Sequence, residues 1–575
     1  MPDELTIRIA GDAGQGMQTV STVLAKAFKK AGFHIFVNQD FMSRIRGGNN
    51  FSQLRVSVNP LFAPRAKSDI TVSLDKESVH LHRPSIADEG IMILDRQKHG
   101  ITDNDSAYFD VPFYDMAKRA GGSELYANSA ASGILAGVTR LDFRHIEEAL
   151  KETFGDKSAD VIKINIDAAR LGYDFAKNNF KPDIFAIKEG GPNVNLLMNG
   201  NDAIALGAIR AGCKFYSAYP MSPSTTIMEN ISRYANDFNV IVEQAEDEIA
   251  AINMIIGASF AGVRSMCATS GGGFALMVEG LSLAGMLETP IVIVDAQRPA
   301  PATGLPTRTE QADLDFIIHA GHGEFARAVF APGTAEQAFY LTVKAFNLAE
   351  KYQIPVLIMT DQHLADSSRD IGSFDMDRAK VERHIISKED SKKVTGYKRY
   401  QLTKTGISPM AVPSWIDDVI YADSDEHTEE GHITEDAHIR ISMVEKRLYK
   451  KMELLSQEIE EPTKFNIDSA DTILIGFGST YGVMKEVCDS IPRRKAGFIH
   501  LSQVWPFPSR HLTELLKGEK NILTVENNAG AQLAGLIRRC TGIEVDGSIL
   551  KYDGRPFDVD LLLNRVSEVT SHGRR

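Results

Sequence analysis

The strongest constraint on the fold of this chain is a recurring unit: a short, β-branched, strand-like run that ends in a glycine-rich or polar loop before a helical pattern begins. Leu5–Ala10 runs into Gly11-Asp-Ala-Gly-Gln-Gly16, and Met17, Val20, Leu24 and Phe28 follow at helical spacing to about Gly32. Further strand-like runs stand at Ile70–Ser73, Ile91–Leu94, Ile291–Val294, Val356–Met359, Ile473–Phe477 and Ile522–Val525. The runs at 291–294 and 356–359 show no polar alternation, which belongs to strands covered on both faces. The pattern predicts a multidomain α/β protein, and 575 residues hold roughly three to four domains.

The runs set the expected boundaries. A nucleotide-type, Rossmann-like α/β domain spans 1–185, and Lys188-Glu-Gly-Gly-Pro192 within 186–193 reads as a linker. A second α/β region covers 194–367, with Ile249, Ile252, Ile256 and Phe260 as a helix stripe. The stretch 368–465 is polar and poor in strand signal, carries an acidic, His-bearing run from Asp423 to Asp436, and reads as an extended insertion. A last α/β region fills 466–575.

Charge narrows the function. The formal net charge is −13, which argues against a surface that coats nucleic acid or binds an anionic membrane. No apolar run approaches the roughly 18 residues that span a bilayer, and the amino end shows no secretory pattern. Cys213, Cys267, Cys488 and Cys540 lack metal-clip spacing, so no zinc site or iron–sulfur cluster is expected from these thiols alone. So few cysteines suit a reducing cytoplasm.

Several strings carry groups with chemistry. Gly11–Gly16 has G-x-x-G-x-G spacing, neither the dinucleotide G-x-G-x-x-G nor a Walker loop, and reads equally as an anion cradle or a tight strand–helix turn. Arg44 and Arg46 beside Gly47 and Gly48 suit an anionic ligand, or a solvated loop. In Tyr219-Pro-Met-Ser-Pro-Ser-Thr-Thr226 two prolines fix the backbone and hydroxyls open a helix near Thr225; a helix cap would look the same. Glu246 lies where the run Val240–Val242 gives way to a helix. Acidic residues favour helix starts, yet a carboxyl at such a junction also faces a crevice. Ser270-Gly-Gly-Gly273 permits close backbone approach. Asp295-Ala-Gln-Arg298 lies past the carboxyl end of a buried strand, where open parallel sheets collect ligands, and Arg298 reads as a carboxylate binder.

Together and in order, these strings resemble the 2-oxoacid:ferredoxin oxidoreductases, in the form of a subunit that fuses gamma and alpha domains. Tyr219–Thr225 resembles the family's Y-P-I-T-P-S-T string, although Ser222 stands where the family usually has threonine. Gln244-Ala-Glu246 with Ala250–Asn253 resembles its glutamate helix, and Ala268–Gly273 and Gln297-Arg-Pro299 its next two blocks. Gly11–Gly16 with Arg46-Gly-Gly48 resembles the gamma domain's opening. Trp505-Pro-Phe-Pro508 and Val525-Glu-Asn-Asn528 resemble a domain similar to the carboxyl-terminal domain of transketolases.

The resemblance implies thiamine diphosphate chemistry: oxidative decarboxylation of a 2-oxoacid, transfer of the acyl group to coenzyme A, and electrons to ferredoxin, or the reverse carboxylation. It implies a pyrimidine-binding domain over 194–367 and a coenzyme A-associated gamma domain over 1–185. Glu246 would be catalytic, at the aminopyrimidine N1′. Ser222 and Arg298 would bind substrate; Tyr219, Pro220, Gly271, Gly272 and Gly273 would line the cofactor. Gly14, Gly16, Arg46, Gly47 and Gly48 would meet coenzyme A.

Half of a thiamine site is missing. The family of thiamine enzymes holds magnesium and diphosphate with G-D-G and a later Asn, oxygen ligands suited to a hard cation. Val545-Asp-Gly547, Tyr552-Asp-Gly554, and Gly11-Asp-Ala13 with Asn38 are imperfect matches. The resemblance therefore implies a separate beta subunit that carries the diphosphate site with Mg2+ and the iron–sulfur (4Fe-4S) cluster, in an (αβ)2 heterotetramer inactive without it. No metal ligand is assigned to this chain. Glu426-His-Thr-Glu-Glu-Gly-His-Ile433 resembles a string of the 2-oxoglutarate members, which points to 2-oxoglutarate; otherwise its charges read as a solvated or subunit-contacting loop. A pyruvate or branched-chain enzyme, and a non-catalytic nucleotide-binding subunit, are the competing readings.

Overall fold

The computed structural model describes residues 3–42, 48–188, 190–191, 193–492, 494–518 and 520–572. The chain divides into two compact units: Met1–Met198 with Ser367–Ser373 and Phe557–Val566, and Asn199–Asp366 with Phe374–Pro556 and Ser567–Arg575.

The first unit is built on an eight-stranded sheet, in the order Tyr108–Asp110, Ile86–Leu94, Ser68–Ser73, Glu4–Asp12, Asn49–Ser57, His34–Asp40, Ser368–Ile371, Leu196–Met198. Glu4–Asp12 runs parallel to Ser68–Ser73 but antiparallel to Asn49–Ser57, so the sheet is mixed. The helix Met17–Lys30 buries Met17, Val20, Leu24 and Phe28 against it, the stripe expected from sequence.

The second unit holds two sheets. The seven-stranded one runs Gln503–Trp505, Ala328–Phe330, Pro355–Asp361, Ile291–Gln297, Ser265–Thr269, Phe215–Ala218, Ile241–Gln244. Every pair but the first is parallel. Ile291–Gln297 and Pro355–Asp361 are buried along their whole length, as their unbroken apolar runs predict. The five-stranded sheet runs Thr463–Phe465, Ala496–Leu501, Thr472–Phe477, Asn521–Glu526, Gly547–Leu550. One hydrophobic core joins both sheets, from Ile252 and Phe274 through Ile293 and Leu357 to Ile475 and Leu536.

Buried polar groups fasten these sheets. The Gln311 backbone N–H donates to the Asn527 carbonyl at 2.7 Å, and its Nε2 donates to the Phe477 carbonyl at 3.0 Å. The fully buried Glu526 accepts from the backbone N–H of Leu533 and Ala534 at 2.8 and 3.1 Å, which satisfies orphan donors at the start of the helix Gln532–Thr541. The string Val525-Glu-Asn-Asn528 is thus a structural brace.

Candidate active site

Four loops leave the carboxyl ends of four adjacent parallel strands in the seven-stranded sheet. Tyr219–Ser224 follows Phe215–Ala218, Ala245–Asp247 follows Ile241–Gln244, Ser270 follows Ser265–Thr269, and Arg298 follows Ile291–Gln297. The strand order reverses at Phe215–Ala218, whose two neighbours are the next strands in the chain, one on each side. Such a reversal opens a crevice at the carboxyl ends of the strands.

Short contacts bring the loops together. The Tyr219–Thr226 turn is held from below by Asn201, whose Nδ2 donates to the Pro223 carbonyl and to Thr226 Oγ1 at 2.8 and 2.6 Å. Arg298 Nη1 donates to the Ser222 carbonyl at 2.7 Å, joining that turn to the end of Ile291–Gln297. The Ser270 hydroxyl lies 2.8 Å from Met221 Sδ. The Ala245 N–H donates to the Ala218 carbonyl at 3.0 Å. Asp247 caps the helix Glu248–Phe260 by accepting from the Ala250 N–H at 2.7 Å. The cap is therefore Asp247, which leaves the adjacent Glu246 carboxylate exposed rather than spent on the helix.

The floor is the Gly271–Gly273 turn that starts the helix Gly271–Met286. A Cβ on Gly273 would lie 2.1 Å from Thr269 Oγ1 and 2.5 Å from Glu248 Oε1; one on Gly271 would lie 2.3 Å from Asp313 Oδ2. Over Gly272 the nearest atom to such a Cβ is the Ala302 carbonyl oxygen at 3.7 Å, so the turn is open to a flat ligand there. Ser222 and Tyr219 are exposed, Pro220 and Arg298 half-buried, and burial lowers the Arg298 pKa. The structure brings Tyr219, Pro220, Ser222, Glu246, Gly271, Gly272, Gly273 and Arg298 to one sheet edge.

Residues 206–446 match the family described as pyruvate flavodoxin/ferredoxin oxidoreductase, thiamine diphosphate-binding; residues 6–175 match pyruvate ferredoxin/flavodoxin oxidoreductase; and residues 470–560 match core domain II of pyruvate:ferredoxin oxidoreductase. The 2-oxoacid:ferredoxin oxidoreductase subunit alpha of a Sulfolobus species is 34% identical over 99% of this chain and 97% of its own length. This chain belongs to the 2-oxoacid:ferredoxin oxidoreductases, as an alpha subunit. The 2-oxoglutarate synthase subunit KorA of Methanothermobacter marburgensis is 32% identical over 64% of this chain and 97% of its own. A solved structure of 2-oxoglutarate:ferredoxin oxidoreductase from Magnetococcus marinus, with 2-oxoglutarate, coenzyme A and succinyl-CoA bound, superposes with a TM-score of 0.91 at 31% identity. It covers 99% of this chain and 100% of that one.

The alpha subunit thus carries a thiamine diphosphate-binding domain, and its residues fit one end of the coenzyme. An exposed carboxylate, an open glycine turn and a row of hydroxyls suit an aminopyrimidine ring. Among the described residues no group of three or more His, Cys, Asp or Glu side chains is placed to hold a metal ion. Burial raises the thiols of Cys213 and Cys488 to about 12 and that of Cys267 further, far from the thiolate form that ligates metals. No described helix is long and apolar enough to cross a membrane.

In the first unit, a cleft of about 530 Å³ is lined by Gly14, Gln15, Asp75, Lys76, Tyr114 and Asn128, among others. Gly14 and Gly16 take positive φ values of 90° and 74°. Burial raises the Asp12 pKa, and the nearby charges of Asp75 and Glu77 raise it further, so carboxylates crowd the glycine loop. Gly48 is described, with φ 97°. Arg44, Arg46 and Gly47 lie outside the described residues, as do Glu189 and Pro192 of the expected linker.

The run Asp423–Asp436 is partly tied to its neighbours, although Asp425, Glu430, His432, Glu435 and Asp436 stay exposed. Glu426 accepts from Arg440 and Arg447 at 2.6 to 2.9 Å, and Lys398 pairs with Glu429 and Glu430. His427 is fully buried and its ring packs against Tyr400 at a 45° tilt with ring centroids 4.0 Å apart. Beside it, the fully buried Glu288 meets Lys446 and Lys451. Burial alone would raise the Glu288 carboxyl, yet the two lysines hold it below the carboxylate range. Glu426, Glu429 and Glu430 are thus spent on tying the insertion down, and pairing of opposite charges across distant segments carries no local signal.

Two features of the site escaped sequence reasoning. Met221 closes the hydroxyl turn, its carbonyl accepting from the Ser224 N–H and hydroxyl at 2.9 and 2.7 Å, and a methionine in a loop carries no signal of its own. Asp313 joins the strand of Asp295 across a long loop: its N–H donates to Gln297 Oε1 at 3.0 Å.

Proposed function

We propose that this alpha subunit serves a 2-oxoglutarate:ferredoxin oxidoreductase, converting 2-oxoglutarate and coenzyme A to succinyl-CoA with electrons passed to ferredoxin, or running the reverse carboxylation. Thiamine diphosphate, when bound, supplies the carbanion chemistry for decarboxylation. The Glu246 carboxylate holds and moves the proton at the aminopyrimidine N1′. Tyr219, Pro220 and Gly271–Gly273 enclose the ring and exclude water. Arg298, fixed to the Ser222 carbonyl, keeps its other guanidinium N–H groups for the substrate's 1-carboxylate, with the Ser222 hydroxyl as a second donor.

One observation carries this reading: the exposed Glu246 carboxylate, the open face of Gly272 and the anchored Arg298 meet at a single strand-order reversal. The substrate rests on the likeness to 2-oxoglutarate enzymes over nearly the whole chain and on the string Glu426–Ile433. The beta subunit supplies the diphosphate pocket with Mg2+ and the iron–sulfur cluster, in an (αβ)2 heterotetramer. Ile241, Ile249, Met254 and Leu276 stay between 39% and 63% exposed on the strand and helices flanking the site, apolar surface suited to that partner. Coenzyme A would use the cleft beside Gly14 and Gly16, with Arg46, Gly47 and Gly48 as the further contacts the resemblance implies.

The test is reconstitution with the beta subunit and measurement of viologen reduction across a panel of 2-oxoacids. 2-Oxoglutarate should give the highest kcat/KM; a preference for pyruvate would overturn the substrate. Glu246→Gln should cost roughly 10²- to 10⁴-fold in turnover with assembly intact. Turnover near wild type in that variant would remove Glu246 from its role, and turnover by the isolated chain would remove the two-subunit reading.

A further inference from the structure

We propose that Glu288, Lys446 and Lys451 form a latch that ties the inserted segment to the end of the helix Gly271–Met286, with Lys451 bound as the neutral amine, so that the segment is held more tightly as pH rises. The latch does not depend on which coenzyme or substrate the crevice takes.

Glu288 follows that helix at φ 49°, where glycine is the unstrained residue. A carboxylate stands there instead, and it is fully buried. Its Oε1 accepts from Lys446 Nζ, and its Oε2 accepts from Lys451 Nζ at 2.5 Å. Both lysines are themselves buried. On an α-helix, side chains spaced like residues 446 and 451 point about 140° from one another. The turn Glu445–Lys450, however, is a π-helix between the α-helices Ala437–Val444 and Lys451–Leu455. A π-turn bonds residue i to residue i+5, which brings such a pair toward one face and onto one carboxylate. Arg399 reaches the same helix end. Its Nη2 donates to the Glu288 and Leu287 carbonyls at 2.6 and 3.5 Å, and its Nη1 donates to Gln353 Oε1 at 2.8 Å.

One carboxylate neutralises one ammonium, and a second buried cation beside it has no counter-charge. Arg399 cannot release its proton, and its charge complements the carbonyl end of the helix. One of the lysines therefore gives up its proton. The acceptors identify it as Lys451, whose Nζ meets, among the described residues, only Glu288 Oε2 and the Gln353 carbonyl, the latter at 3.1 Å. Two acceptors match the two N–H groups of an amine; the third N–H of an ammonium would be buried without one. Lys446 keeps its charge, with Nζ 5.6 Å from the centroid of the Tyr400 ring. Burial lowers both lysine pKa values, Lys451 to about 7. The other titratable groups facing the trio keep one state as Lys451 titrates. Burial pushes Tyr400 up to about 12 and lowers His427, which stays neutral, while Glu426, which burial alone would raise, stays ionised under its bonds from Arg447 and Arg440. A released lysine takes its proton near 10.5 and the latched one near 7, so the released state binds more protons between those values. The latch therefore strengthens as pH rises through that window and is weakest at its lower end.

Millisecond hydrogen exchange of the full chain from about pH 7 to about pH 10, corrected for the intrinsic exchange rate, reads the opening of Ala437–Leu455. The opening constant should fall about tenfold per pH unit, one proton per opening. Lys451→Met leaves one lysine on one carboxylate, and its opening constant should not vary with pH. Lys446→Met should flatten the profile as well, because Lys451 then becomes the only counter-charge of Glu288 and keeps its proton. A merely structural lysine would change the level of exchange in these variants and leave its pH dependence in place. A wild-type opening constant that is the same at both ends of the range, or a slope that survives in Lys451→Met, would overturn the proposal. If Lys451→Met does not fold, the wild-type slope and its loss in Lys446→Met decide it.

Discussion

Both units contain a strand that ends in glycines and opens a helix, and the two turns use glycine for different reasons. At Gly11–Gly16 the demand is conformational: Gly14 and Gly16 have positive φ, and nothing lies within 4 Å of a Cβ on Gly14. At Gly271–Gly273 no positive φ occurs, and the demand is space, since side chains of Asp313, Thr269 and Glu248 already fill the places of two β-carbons. The surroundings differ as well. The first turn is crowded by Asp12, Asp75 and Glu77, while the second has the buried Asp313 carboxyl against it and an anchored arginine at the edge of the same crevice. A glycine string in sequence therefore reports close backbone geometry without saying which kind, and only the neighbours decide what a turn will bind.

Each unit also has a histidine that its fold keeps neutral, and acid gives the widest expected effect on both. Burial lowers His82 to about 4, helped by Arg8, and lowers His500 to about 4. His82 Nε2 bonds Asn49 Oδ1 at 2.7 Å in the first unit; His500 Nε2 bonds the Gly478 carbonyl at 2.9 Å in the second. The unfolded chain binds these protons near pH 6.5, so each contribution is complete above that pH and is lost as pH falls toward 4. The loss is about 3 kcal/mol per histidine. Hydrogen exchange at pH 7 and pH 5 should show both units loosening, and His500→Gln should flatten the response of the second unit only. A response in the first unit of equal flatness would mean that the two do not open independently.

The next contrast lies within the second turn. Gly273→Ala must displace Thr269 or Glu248 and should cost about 2 kcal/mol by overpacking. Gly272→Ala meets no atom closer than 3.7 Å, so its stability should stay within about 0.5 kcal/mol of wild type. Its methyl would nonetheless project where the coenzyme ring is proposed to lie, so thiamine diphosphate affinity in the assembled enzyme should drop. Thermal melts with coenzyme titrations separate the two variants; equal melting temperatures would refute the space argument.

The sequence made some of this visible. Strands covered on both faces announce themselves by unbroken apolar runs, which is why Ile291–Gln297 and Pro355–Asp361 and the α/β class were legible. The position of Glu246 was legible because a strand-to-helix junction is local. Partners distant along the chain were not. Ser368–Ile371 has little apolar character, and it is held in the first sheet by Asp370, which accepts from the Ile35 N–H and from Asn195 Nδ2, both at 2.7 Å. Its strand signal is a set of side-chain hydrogen bonds to residues far away in the chain. Ile241–Gln244 is an edge strand with exposed residues, so an apolar run there marks an uncovered surface rather than a core. The bond from the Asp313 N–H to Gln297 depends on a loop that returns to its own strand, and no periodicity encodes that return.

The smallest effect tests the first turn. Gly14→Ala introduces no clash, because no atom lies within 4 Å of the new Cβ, but it forces an L side chain to adopt φ near 90°. The cost is backbone strain alone, about 1 kcal/mol. Gly14→Asn should recover part of it, because asparagine tolerates positive φ through local hydrogen bonds, whereas alanine does not. Steric crowding would predict the opposite order, with the larger asparagine worse. Hydrogen exchange in the helix Met17–Lys30, whose first turn follows directly from this loop, reads the difference without requiring the whole chain to unfold in one step. If alanine and asparagine cost the same, φ is not what selects glycine at position 14, and the distinction between the two glycine turns fails at its weaker end.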